Sequence, residues 1–184
     1  PELEESETMG DLKVNVEKTD ANSLDALGRG ATEGLKLAVN VAAMLIAFVS
    51  VVAMINFLLS GFGTSLQDIM GLFFKPLAWT MGVPWSEAQI MGTLMGEKLA
   101  LTELIAYNDL KTYIATKQIS ERTAIIASYA LCGFANFGSI GIQIGGLSSI
   151  APSRRGDLAK LAFKAMIGGA LASWITASIA GILI

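Results

Sequence analysis

Long uncharged stretches separated by short polar clusters set the frame of this chain. Residues 37–59 carry no charge and are interrupted only by Asn40, Ser50 and Asn56. At helical rise they cover roughly 34 Å, enough to cross a hydrocarbon core of about 30 Å, which predicts a scaffold transmembrane helix. Residues 1–36 ahead of it are polar, with Glu2, Glu4, Glu5, Glu7 and Asp11 followed by Lys13 and Lys18, then a short helix over 23–36 feeding the span. They read as a cytoplasmic linker or amphipathic segment. After the break Ser60-Gly-Phe-Gly-Thr64, residues 66–81 put Leu66, Ile69, Met70, Phe73, Leu77 and Met81 on one side, with Trp79 and Trp85 nearby. That pattern predicts an interfacial helix, and Pro76 argues against a long straight span.

Residues 85–115 are helical in pattern yet carry Glu97, Lys98, Glu103, Asp109 and Lys111, too many charges for a lipid-facing span. A turn near Leu101-Thr102-Glu103 leaves two arms of roughly 24 Å and 18 Å, each too short to cross. The prediction is a re-entrant hairpin with Glu103 at its tip. Ser86 and Gln89 have the spacing of a capping box at its start, and Gly92, Thr93 and Gly96 suit close packing on a neighbour.

Residues 120–152 open on a Ser120-Glu121 cap and then contain Gly133, Asn136, Gly138, Ser139, Gly141, Gly145 and Gly146 in an uncharged stretch of membrane length. Glycine weakens a helix most where lipid offers no replacement hydrogen bonds, so this is a discontinuous transmembrane helix, broken near Gly133. Unwound backbone at that depth is a common basis for a transporter's midplane site. Residues 153–184 hold a basic turn at Ser153–Asp157 and a last span over 165–184, rich in small packing residues. Arg154, Arg155, Lys160 and Lys164 favour cytoplasmic placement of that turn.

Composition agrees: 53% of residues are hydrophobic, 16% are charged, and mean hydropathy is +0.56. The fold class is therefore all-α, a polytopic membrane protein with a re-entrant helical hairpin and a discontinuous transmembrane helix. A net charge of −3 and the absence of histidine leave no basic footprint for nucleic acid and remove the commonest general base. The chain is not expected to be an enzyme or to bind a metal. Its one cysteine, Cys132, excludes an internal disulfide and reads as a packed thiol. The acidic start shows no signal peptide, and the chain reads as part of something longer.

A carboxylate inside a membrane costs about 2.5–3.5 kcal/mol, so Glu103 requires a partner or a ligand. A salt bridge to Lys98 or a water-facing position would satisfy it without function. Asn136 as a helix cap, Ser139 as packing, and Phe134 and Phe137 as core rings are the corresponding ordinary roles. Taken together, an acceptor-only carboxylate, an amide and a hydroxyl match the alternating donors and acceptors of vicinal hydroxyls, with aromatic rings beside them.

Gly96-Glu-Lys-Leu-Ala-Leu-Thr-Glu-Leu-Ile-Ala-Tyr107 resembles the G-x-K-x-x-x-N-E-F-V-A-Y signature of the concentrative nucleoside transporters. The stretch from Ala130 to Gly146 resembles that family's second signature, and Gly82-Val-Pro-Trp85 and Ala151-Pro-Ser-Arg-Arg155 fall in matching places. The resemblance implies the C-terminal half of a sodium- or proton-coupled nucleoside importer of the inner or plasma membrane, a homotrimer in contact with lipid that works by an elevator-like movement. It implies that Glu103, Asn136 and Ser139 bind the ribose hydroxyls with Phe134 beside the sugar. No covalent cofactor is implied, and the Na+ or H+ site is expected in the N-terminal half. Thr102 stands where the family has Asn, and Gly138 where Ser is frequent. The alternative is a channel or a non-transporting membrane scaffold; an intramembrane enzyme ranks third.

Overall fold

The structure is a computed structural model that describes residues 20–184. Its helices are α1 (Ser23–Ser60), α2 (Leu66–Thr80), α3 (Ala88–Ala100), α4 (Glu103–Ala115), α5 (Glu121–Leu131), α6 (Phe137–Ile150) and α7 (Arg155–Leu183), with a 3-10 turn at Pro152–Arg154 before α7. Among the described residues there is no strand. The chain divides into two compact units, Pro1–Ala38 and Val39–Ile184.

In the first unit, Asn22 Oδ1 accepts hydrogen bonds from the backbone N–H groups of Leu24 and Asp25, capping the start of α1. The Arg29 guanidinium meets both Asp20 oxygens at 2.6 Å. The helix expected over 23–36 feeds directly into the span expected over 37–59: α1 is continuous from Ser23 to Ser60 and runs through Gly28, Gly30 and Gly34. No proline interrupts it, and isolated glycines cost helix stability without forcing a stop. Of the linker or amphipathic segment expected over residues 1–36, residues 1–19 lie outside the described residues.

The second unit is organised around the α2–α3 contact. Ser65 and Asp68 form a reciprocal capping box that starts α2, and the helix continues past Pro76 to Thr80. Gly71 of α2 and Gly92 of α3 then bring the two backbones together: a Cβ on Gly92 would strike the Gly71 carbonyl, and one on Gly96 would strike Met70. The small residues of the first hairpin arm therefore do pack closely, with α2 as their neighbour. Met91, Leu94 and Met95 carry the same arm into a core shared with Phe74, Ala78, Ile126 and Ala130. Trp174 of α7 packs on Phe74 with ring centroids 5.4 Å apart.

Three local expectations need correction. Ser86 caps nothing: α3 begins at Ala88 after the turn that links the Glu87 N–H to the Pro84 carbonyl, and Glu87 occupies the cap position without a side-chain cap. Its carboxylate instead accepts from Ser120 N and Oγ at 3.0 and 2.9 Å, tying the hairpin to the start of α5. The last helix begins at Arg155, ten residues before the expected 165, because Asp157 lies in its first turn and pairs with Arg154 at 2.8 Å. Cys132 is exposed rather than packed, since the chain leaves the helix there.

Arg122 closes the far end of this unit. It donates from Nε to the Gly82 carbonyl and from its two terminal nitrogens to the carbonyls of Gly181 and Ile184, so one guanidinium holds the α2–α3 turn against the end of α7. By length and composition α7 is apolar enough to cross a membrane, at about 43 Å of helix. Its outward residues Leu161, Ile167, Leu171, Ile175 and Ile179 are exposed, as are Ile46, Met54, Phe57 and Leu58 of α1. Apolar faces on this scale call for lipid or further protein around them.

Candidate functional site

Two interruptions of helical backbone meet in this fold. The first is the turn between α3 and α4, where Leu101 leaves helical geometry and Thr102 adopts an extended conformation. Thr102 Oγ1 accepts from Ile105 N at 3.5 Å, and Glu103 is the first residue of α4. The second is the segment between α5 and α6. It leaves α5 through extended Cys132, reverses at Gly133 with φ of +117°, and re-enters helix at Phe137. Gly138, Gly141, Gly145 and Gly146 lie inside α6 and do not prolong the break, so the unwound segment is shorter than its glycine content suggests.

Asn136 joins the two. It is fully buried, and its Nδ2 donates to Glu103 Oε2 at 3.3 Å. Its Oδ1 accepts from Ser139 N at 2.7 Å, which makes Asn136 the N-cap of α6. Ser139 completes a reciprocal box: its Oγ accepts from Asn136 N at 3.1 Å and donates to Asn136 O at 2.6 Å. The ordinary cap role and the bridging role therefore coincide in Asn136. Among the described residues no salt bridge joins Glu103 to Lys98, and the carboxylate accepts its hydrogen bond from the amide. A carboxylate at the start of α6 also lies where the helix dipole favours negative charge.

This arrangement leaves specific groups for a ligand. Glu103 keeps further lone pairs and Asn136 a second amide hydrogen, whereas the Ser139 hydroxyl proton is committed to a backbone carbonyl. Ser139 can accept from a ligand as it stands but must turn to donate. Phe134 is 47% exposed and lines, with Ser139, Gln143 and Gly169, a largely apolar cavity of about 300 Å³ between the broken helix and α7. Glu103 is not among its lining residues. Phe137 turns away and stacks on Phe163 of α7, with centroids 6.4 Å apart. Thus Glu103 with Asn136, and Phe134 with Ser139, form two adjoining parts around the same cap.

One residue of the site has other partners than the sequence reading gave it. Lys98 is fully buried, and its ammonium donates to the carbonyls of Ala130 at 2.9 Å and Cys132 at 3.5 Å and to Ser173 Oγ at 3.1 Å. The Ser173 hydroxyl in turn donates to the Cys132 carbonyl at 2.6 Å. The end of a half-helix exposes carbonyls that need donors, and its dipole favours a cation. Lys98 supplies both, fastening the hairpin, α5 and α7 at one point. The signal in the sequence was a lysine in an apolar arm one turn before a polar tip; its partners, far along the chain, were not readable. Among the described residues no cluster of metal-ligating side chains occurs.

Comparisons with known proteins bear on this geometry. The family described as Na+ dependent nucleoside transporter C-terminus matches residues 1–181. Transporter YutK of Bacillus subtilis is 44% identical over 100% of this chain and 47% of its own length. Sodium/nucleoside cotransporter 1 of Mus musculus is 41% identical over 100% of this chain and 32% of its own. A solved structure of CNTnw in an inward-facing substrate-bound state superposes with a TM-score of 0.78 at 45% identity, covering 97% of this chain and 44% of that one. This chain spans about half, or less, of the length of the proteins it matches.

Proposed function

This chain belongs to the Na+ dependent nucleoside transporter C-terminus family, and from that premise we propose that it forms the sugar-clamping part of a coupled nucleoside importer. Members of this family are integral membrane proteins. In the proposed arrangement α3 and α4 form a re-entrant hairpin and α5 and α6 a discontinuous transmembrane helix, joined at the membrane midplane by Glu103 and Asn136. Glu103 accepts from vicinal ribose hydroxyls, Asn136 donates to them, Ser139 adds a hydroxyl from the cap, and Phe134 covers the apolar side of the sugar. The hydrogen bond between Asn136 Nδ2 and Glu103 Oε2 carries this reading, because it draws a membrane-buried carboxylate and a free amide hydrogen into one place.

The rest of the transporter completes the picture. The coupling ion, Na+ or H+, binds mainly outside this chain, and the base is read there too. The unit built on α2–α7 moves as one body in an elevator-like step, while α1 belongs to the static scaffold of a homotrimer. Support for a moving carrier comes from relatives named as cotransporters and from CNTnw structures in intermediate, outward-facing and inward-facing states. The substrate crosses without covalent change. Uphill nucleoside uptake that collapses with the ion gradient supports a carrier, and passive flux without accumulation supports a channel instead. Loss of uptake on Glu103→Gln, with membrane insertion intact, tests the clamp.

A further inference from the structure

The hairpin holds a second pair of acidic side chains that the sugar clamp does not use. Glu97 of α3 is 6% exposed, and its carboxyl lies within hydrogen-bonding reach of Asp109 across the two arms. Its Oε2 is buried and has no hydrogen-bond partner among the described residues. Tyr113, one turn further along α4, feels the charges of the same two carboxyls and of Asp68 on α2. Among the described residues the nearby cations are engaged elsewhere or lie at the surface. Lys98, next along α3, is turned to the α5 carbonyls and Ser173; Lys75 of α2 sits over the Trp85 ring at 4.7 Å; Arg122 of α5 is held by three carbonyls; and Lys111 of α4 is exposed.

Two ionised carboxylates cannot hydrogen-bond to each other, since both are acceptors only. Held together in an apolar hairpin with no counter-cation on them among the described residues, they carry both mutual repulsion and the cost of desolvation. One proton removes both problems, converting the contact into an O–H···O⁻ bond of the strong, charge-assisted kind. We propose that Glu97 and Asp109 together bind a single proton, forming an H+ site inside the hairpin that is separate from Glu103 and Asn136. The proton belongs to the pair rather than to either residue, and it exchanges with water through half-buried Asp109.

The position of the pair gives the proton a consequence. Asp109 lies six residues beyond Glu103 on α4, about 9 Å by helix rise. With the proton bound, the pair closes the two arms; with the proton lost, two negative charges face each other and push the arms apart beneath the tip. The second half of the proposal rests on the sugar-clamp reading: nucleoside affinity is highest with the pair protonated and falls as pH rises.

Infrared difference spectroscopy on the intact transporter carrying this sequence, recorded across a wide range of pH, tests the site. The expected result is a protonated-carboxyl band that disappears as pH rises, is absent from both Glu97→Gln and Asp109→Asn, and persists in Glu103→Gln. The amide of Glu97→Gln donates to Asp109 in place of the proton, so this variant keeps its arms together and shows a nucleoside KM that no longer changes with pH. A band that survives in both pair variants, or is missing from the native protein, overturns the proton site. A band that behaves as expected beside a KM profile unchanged by Glu97→Gln overturns the link to the clamp. Because the band is read without transport, failure of the nucleoside reading leaves the proton result intact.

Discussion

The Lys98 ammonium donates to the Ala130 carbonyl at 2.9 Å, across a sequence separation of thirty-two residues. This bond lies where a half-helix would otherwise end with unsatisfied carbonyls in a buried setting. It also fixes the hairpin against the broken helix one turn from Glu103, so the geometry of the proposed clamp depends on it. Lys98→Met removes the donor while preserving most of the bulk. The expected outcome is a loss of about 2–4 kcal/mol, the order seen when buried polar groups lose a charged partner. A thermal unfolding measurement on the intact protein should show it as a large drop in Tm. An unchanged Tm would contradict the capping role.

Gly133 reverses the chain at φ of +117°, a region that side-chain-bearing residues rarely occupy. A Cβ there would also come within 3.0 Å of Ser173 Oγ, the hydroxyl that holds the Cys132 carbonyl. Gly133→Ala is therefore expected to cost about 1–3 kcal/mol and to raise KM by displacing Asn136. The check is Tm together with nucleoside KM, and a variant with native values of both would remove the need for glycine at the break.

The two packing glycines give an internal comparison. Gly92→Ala places a Cβ against the Gly71 carbonyl of α2, whereas Gly145, within α6, has open space around it. The first change should separate α2 from α3 and lower Tm strongly. The second should be neutral or add up to ~1 kcal/mol through helix propensity. Equal effects of the two substitutions on Tm would contradict the close approach of α2 and α3.

Thr102 caps α4 through a long 3.5 Å bond, in the position where the resembled signature has Asn. Asn is the better N-cap, by a few tenths of a kcal/mol or more. Thr102→Asn should raise Tm slightly and leave Glu103 in place, with nucleoside KM unchanged or lower. A rise in KM would show that the threonine methyl or hydroxyl takes part in positioning the tip.

How much of this was legible in the chain follows from the range of each interaction. The turn at Leu101-Thr102, the Ser120 cap and the break after Leu131 are local, written in residues a few positions apart, and were read from them. That Glu103, Asn136 and Ser139 form one set came from asking what a carboxylate in an apolar hairpin requires and from the family resemblance, while the bond between Glu103 and Asn136 was not foreseen. The hold of Lys98 on α5, the bond from Glu87 to Ser120 and the reach of Arg122 to Gly181 depend on tertiary contact and leave no periodic trace. Local signals also misled. Glycines read as part of the break in the second signature are absorbed into α6, and a Ser86–Gln89 spacing that fits a capping box sits in a turn instead.

The central claim is that Glu103 and Asn136 hold a nucleoside by its sugar. The most direct measurement is equilibrium binding of uridine to the purified intact transporter, native against Glu103→Gln, with 3′-deoxyuridine as the second ligand. Losing a hydrogen bond to a charged group is worth about 1.5–3 kcal/mol, so uridine Kd should rise roughly 10- to 150-fold in Glu103→Gln. The native protein's preference for uridine over 3′-deoxyuridine should shrink in the variant. Native uridine affinity in Glu103→Gln, or an undiminished preference between the two ligands, would contradict the account.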